Sequence, residues 1–125
     1  METAKKTKGQ IEDLITKKAI KFYLDTLGTG PKEAKTYILN DMIIIRLKGR
    51  LLPIEQRLLQ SKDGFHLVKN IRETLHELTT GEFLKLISEI SNHKIISTHS
   101  DISTKTGEIM EIYILDGDYE NELAS

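Results

Sequence analysis

The feature that most constrains this chain is a pair of extended runs, Ala34–Leu39 and Met42–Lys48, joined by Asn40-Asp41. Asn and Asp tolerate the positive φ of a two-residue turn, so the stretch predicts a β-hairpin. Alternation along the second run puts Met42 and Ile44 on one face and Ile43, Ile45 and Leu47 on the other. The run Glu108–Leu115 repeats the pattern, with Met110, Ile112 and Ile114 set against Ile109, Tyr113 and Leu115. Two strands that are apolar on both sides demand a sheet covered front and back.

The remaining segments supply helices. Apolar residues at Ile11, Leu14, Ile15, Ala19 and Phe22 recur at helical spacing from Gln10 to about Leu27. Gly28-Thr29-Gly30-Pro31 then stops the helix, glycine suiting a left-handed cap and proline being unable to continue the ladder. Pro53 opens a short helix through about Gln60. A longer one carries Phe65, Val68, Ile71, Leu75 and Leu78, a break is expected at Thr79-Thr80-Gly81, and Phe83, Leu84, Ile87 and Ile90 start another. The strand His93–Thr98 pairs with Glu108–Leu115 as a second hairpin.

The order α-β-β-α-α-α-β-β lacks the regular strand–helix alternation of a parallel sheet, so the predicted class is α+β: two β-hairpins forming a mostly antiparallel four-stranded sheet packed with helices. Residues 1–9 read as a mobile basic arm, 10–115 as a single domain and 116–125 as an acidic tail. Either helices split across both sheet faces or a second copy covers one, and a homodimer is the expectation.

Composition narrows the function. At 125 residues with 38% hydrophobic and 30% charged residues, the chain has the makings of one globular core. A net charge of −1 and a pI near 6.4 give no general attraction to nucleic acid. The absence of cysteine removes disulfides, thiolate nucleophiles and the usual structural zinc sites. The longest apolar run, Met42-Ile43-Ile44-Ile45, is far short of the ~20 residues of a membrane helix, and METAKKTKGQ has no signal-peptide stretch, so a cytoplasmic protein without membrane insertion is expected.

Chemistry concentrates in HSDISTKTGE, residues 99–108. His99, Ser100 and Asp101 are the residue types of a hydrolase triad, but consecutive strand residues point to opposite faces, and no G-x-S-x-G elbow occurs. The stretch also reads as a polar connection whose side-chain oxygens satisfy loose N–H groups while Gly107 turns the chain. The third reading is a partner- or anion-binding site of His99, Ser100, Asp101, Ser103, Thr104, Lys105 and Thr106. The glycine and lysine order of a P-loop is missing. Weaker candidates are Gly28, Gly30, Pro31 and Lys32, a turn that could cradle an anion, and Arg46, a charge within an apolar strand that either blocks an edge or partners a buried acid. His66 and His76 lie about 15 Å apart along a helix, and His93 and His99 about 20 Å apart on a strand. Neither pair can share an ion, and no metal or cofactor is expected. The six lysines Lys5, Lys6, Lys8, Lys17, Lys18 and Lys21 read as a solvated face.

Three stretches carry a resemblance: GTGPKEAKTYILNDMIIIRLKGRLLPIE at 28–55, the helical span with Asp63-Gly64 and Arg72, and KIISTHSDISTKTGEIMEIYIL at 94–115. Together they resemble the MpsC-like family, which includes YbcI-like proteins and is named after a component of a sodium-translocating, membrane-potential-generating system. Members commonly read G-R-G-P where this chain has Thr29 between its glycines. The resemblance implies a small non-enzymatic accessory or regulatory protein of a membrane cation or bicarbonate transport module, bound to subunits of that system, and it brings no catalytic residue set. If the segment binds such a partner, Asp101 and Lys105 are expected to make charged contacts, His99 to orient the segment or confer pH sensitivity, and Ser103 and Thr104 to donate hydrogen bonds. The alternative is a sensor binding a phosphate- or carboxylate-bearing metabolite at 99–108.

Overall fold

The structure, a computed structural model, describes residues 6–28, 30–49, 52–103 and 105–124. It is α+β, with helices α1 (Lys8–Leu27), α2 (Pro53–Leu58), α3 (Lys62–Ser91) and α4 (Tyr119–Ala124), and strands β1 (Glu33–Leu39), β2 (Met42–Lys48), β3 (Ile95–Ile102) and β4 (Glu108–Leu115). The four strands form one antiparallel sheet in the order β1-β2-β4-β3. Both hairpins fall where the sequence places them. Asn40 takes φ 54° at the first turn, with Leu39 and Met42 as the closing pair.

Alpha-1 starts earlier than its apolar pattern, because a capping box holds its first turn. The Thr7 hydroxyl accepts from the Gln10 N–H at 3.2 Å and the Gln10 side chain accepts from the Thr7 N–H at 2.9 Å. Lys8, expected in the mobile arm, is therefore the first helical residue, while residues 1–5 lie outside the described residues. At the other end Gly28, at φ 78°, gives the left-handed cap expected of it.

Pleating sorts the sheet into two faces. On one, Ile38, Ile43, Ile45, Leu47, Tyr113 and Leu115 are buried against Ile11, Ile15 and Ala19 of α1 and Phe83 and Ile87 of α3. Each fully buried aliphatic side chain of that group contributes about 1.5–3 kcal/mol. The Glu12 carboxylate accepts from the Ile38 N–H at 2.8 Å, so α1 satisfies a donor on edge strand β1 that water or another chain would otherwise take.

Two expectations are corrected. The break at Thr79-Thr80-Gly81 does not occur, and α3 runs unbroken for 30 residues. Thr80 donates back to the His76 carbonyl inside the helix, and the buried stripe of Val68, Phe83 and Ile87 outweighs the roughly 1 kcal/mol cost of one helical glycine. Residues 116–125 are not simply an acidic tail, because Tyr119 of α4 is 5% exposed and packs into the core. His93 holds this end down, its ring nitrogens 2.6 Å from Asp116 and 2.8 Å from Glu122.

The helices do not split across the sheet. Those that reach it pack on one face, and among the described residues no helix covers the other, the open face. Its cross-strand rows are Leu39-Met42-Ile114-Ser97, Tyr37-Ile44-Ile112-His99 and Lys35-Arg46-Met110-Asp101. Exposure on it reaches 39% at Tyr37, 46% at Leu39 and 64% at Ile96.

Candidate functional site

The segment 99–108 is half strand and half turn. His99, Ser100 and Asp101 continue β3 rather than forming a loop, and the turn proper is 103–107, with Thr104 outside the described residues. The Ser103 N–H donates to the Glu108 carbonyl at 2.8 Å and the Gly107 N–H to the Ser103 carbonyl at 2.7 Å. Gly107, at φ 76°, packs its carbonyl so close to Gly49 that a Cβ there would sit 2.7 Å from it. Thr106 accepts from the Glu108 N–H and Asp101 from the Ile102 N–H, so two side chains of the segment do satisfy backbone donors. Lys105 and Thr106 stand exposed at the tip.

Pleating divides the three residues that precede the turn. His99 and Asp101 belong to the open face of the sheet, where the row Lys35-Arg46-Met110-Asp101 brings Arg46, one of the weaker candidates, two strands away from Asp101. Arg46 neither blocks an edge nor meets a buried acid. It lies on the central strand β2 and pairs with Glu108 at 2.9 Å, both partly exposed. Gly28, Gly30, Pro31 and Lys32 lead into β1, where the Lys32 N–H donates to the Lys48 carbonyl at 2.8 Å. That turn opens β1 on the opposite edge of the sheet, three strand spacings or about 14 Å from His99, Ser100 and Asp101 on β3.

Ser100 points the other way, to the helix side, and meets residues that sequence reasoning did not single out together. Its Oγ lies 3.0 Å from His76 Nε2, and His76 Nδ1 lies 3.4 Å from Glu111 Oε1. Tyr113 donates to the same carboxylate at 3.0 Å. Burial pushes the Glu111 carboxyl above the ordinary range, while the His76 ring and the Tyr113 hydroxyl pull against it. Burial likewise raises the Tyr113 hydroxyl. Hydroxyl on Nε2 and acid on Nδ1 is the connectivity of a hydrolase relay. Ser100, however, lies in a strand, whereas the nucleophile elbow of hydrolases sits on a tight strand-to-helix turn with backbone N–H groups beside it for the developing oxyanion.

Next to this chain is a buried ion pair. Arg72 reaches Glu55 through Nε and Nη2, both at 2.5 Å, with the two side chains 4% and 8% exposed, and also donates to the Tyr23 hydroxyl. Burial works against the Glu55 charge, but Arg72 and the Leu52 N–H overcome it and hold the carboxyl below the usual range. Among the described residues no group of three or more His, Asp or Glu side chains could hold a metal ion, and no helix is long and apolar enough to cross a membrane.

Comparison with known proteins agrees on lineage. A protein of Bacillus subtilis (strain 168), YbcI, described as uncharacterized, is 40% identical over 119 residues, covering 95% of this chain and 96% of its own length. No solved structure matches significantly. The family model described as "Na+-translocating membrane potential-generating system (MpsC)" matches residues 7–117, and the chain belongs to the MpsC family.

Proposed function

We propose that this chain is a non-enzymatic accessory or regulatory protein of a membrane cation or bicarbonate transport module of the membrane-potential-generating type, working as a homodimer that binds subunits of that module. The observation that carries the reading is the open sheet face. All helices that contact the sheet pack on one side, leaving Tyr37, Leu39, Met42, Ile44, Ile112 and Ile114 as a continuous apolar surface. Such a surface on a small protein marks an interface.

A second copy suits it. A twofold axis parallel to the strands lays β1 of one protomer across β3 of the other, in the aligned packing usual for stacked sheets. Lys35 at one side of its row then faces Asp101 at the other side of the second copy's row, with Arg46 next to that pair, while the apolar rows of the two copies meet. The turn 103–107, with Lys105 and Thr106 exposed, projects from the end of the paired sheets and is left for the transport subunits.

Light scattering on the full chain tests the interface. Wild type is expected at twice the chain mass and Ile112→Glu at the single mass, because a carboxylate on the open face is solvated in the monomer and buried unpaired in the dimer. Affinity capture from native membranes tests the partner, with Lys105→Glu expected to lose the transport subunits while remaining dimeric. A wild-type mass of one chain removes the dimer. Capture of the same subunits by Lys105→Glu removes the turn from the partner surface.

A further inference from the structure

On the helix side of the sheet, away from the open face, α1, α3, β3 and β4 enclose a cleft of about 110 Å³. Its apolar wall comes from Phe22, Leu75, Phe83 and Ile109. The Phe22 and Phe83 rings lie 5.5 Å apart, and Phe83 lies 6.0 Å from Tyr113. Its polar wall is the chain Ser100–His76–Glu111, with Tyr113 behind it. Glu111 and Tyr113 are the most buried members of this chain, and a carboxylate and a hydroxyl beside an aromatic wall are expensive to desolvate, where residues serving only to fill space would be apolar.

The charges select the ligand. The Arg72 guanidinium, which also lines the cleft, is engaged by Glu55 and Tyr23. Glu111 stands on the inner wall, its side chain 13% exposed, and Glu73 adds a second carboxylate at the lining. Burial works against the Glu111 charge, and a cation brought beside it would relieve that cost. The field therefore favours a cation and opposes a phosphate or carboxylate, contrary to the metabolite that the 99–108 segment suggested. Size sets the rest. A closed apolar cavity of about 150 Å³ takes up benzene, so a cleft somewhat smaller but open at one side suits a single ring or a short branched chain.

The geometry points to this cleft as the binding site of a small amphipathic amine, its ammonium held by the Glu111 carboxylate beside Ser100 and its apolar body lying against Phe22, Leu75 and Phe83. The interaction is charge-assisted at one end and apolar at the other, as in most small-molecule sites. It uses the inner side of β3 and does not depend on the open face being paired.

An amide-resolved NMR titration of the full chain tests it with three probes of one shape and different charge: benzylamine, benzyl alcohol and benzoate. Benzylamine is expected to saturate, moving resonances at Phe22, Leu75, Phe83, Ser100 and Glu111, and to bind at least about tenfold tighter than either of the others, the worth of one charged hydrogen bond. Glu111→Gln should remove that preference. Ser100→Trp, at an exposed strand position that accepts aromatic residues, should fill the cleft and abolish binding of all three probes. The inference is overturned if benzylamine does not bind, if benzoate binds as tightly, or if the shifts map elsewhere. Unchanged benzylamine binding by a folded Glu111→Gln chain would also overturn it. Should that variant fail to fold, Ser100→Trp decides, and binding retained by it counts against the site.

Discussion

Replacing Arg72 by leucine is the most informative single perturbation of this fold. The guanidinium makes two parallel hydrogen bonds to Glu55 at 2.5 Å, and both side chains are less than one-tenth exposed. Removing it leaves a carboxylate in the interior, with the Leu52 N–H still donating to it at 2.8 Å. Breaking a buried pair from one side costs about 3–5 kcal/mol, a fifth or more of the roughly 5–15 kcal/mol that holds a domain of this size. The local consequence is α2, six residues long, which packs on α3 and is too short to persist without tertiary support. In urea, where the slope is about 1–3 kcal/mol per molar for small domains, the unfolding midpoint should fall by at least about 1 M.

Two further measurements separate an ion pair from a merely well-packed side chain. The double variant Glu55→Leu/Arg72→Leu buries no charge and should recover most of the loss, so the double-mutant cycle should give strong coupling. Acid should act in opposite directions on the two single states. In wild type the Glu55 carboxyl is held below its usual range, so its contribution is complete above that range and drains as pH falls through the lowered value. In Arg72→Leu the buried carboxyl loses its counter-charge, its pKa rises, and acid protonates it at less cost. The gap between the variant and wild type should therefore narrow as pH falls from neutral. A cost below about 1 kcal/mol, or a double variant as unstable as the two single effects added, would refute the reasoning.

Other outcomes are expected on the same grounds. Gly81→Ala should stabilise the protein by about 0.5–1 kcal/mol in urea unfolding, since the residue is helical with nothing within 4 Å of an added Cβ. Gly64→Ala should do the reverse, because the same methyl would sit 1.8 Å from the Leu58 carbonyl oxygen. Ile87→Ala, at a fully buried core position, should cost about 2–5 kcal/mol. Burial opposes the His93 charge, but Asp116 and Glu122 raise its pKa above the ordinary value, so its clamp on α4 is complete below pH 6.5 and is lost as pH rises through the raised value. Amide exchange in α4 should accelerate over that interval in wild type and show no such step in His93→Gln.

The fold was legible because its signals are short-range. The Asn40-Asp41 turn, the period-two apolar runs and the Gly28 stop each act within a few residues, and each is where the pattern puts it. The errors arose where distant packing decides. Thr79-Thr80-Gly81 reads as a break in isolation, yet Val68 on one side and Phe83 and Ile87 on the other are all buried, so the helix is held by packing at both ends and continues through it. Tyr119 looks like part of an acidic tail until Leu115 and Ile11 are there to receive it.

The Ser100–His76–Glu111 grouping was not read from the sequence, for a geometrical reason. His99, Ser100 and Asp101 are neighbours along the chain, and along a strand that is the arrangement that separates them. Neighbours in a hairpin are residues that mirror one another across the turn. Once Ser103 is paired to Glu108, as the Gly107 turn requires, counting back three places and forward three places sets Ser100 opposite Glu111. Glu111 is the one acidic residue flanked on both sides by the apolar residues of β4, which already marks it as a charge carried into the interior. The third member, His76, has no such local marker. It arrives from α3, 24 residues before Ser100, and only the unbroken course of that helix delivers it. The same local feature that was mistaken for a break at Gly81 therefore hid the histidine, since a helix interrupted after Leu78 gives no reason for His76 to lie beside β3.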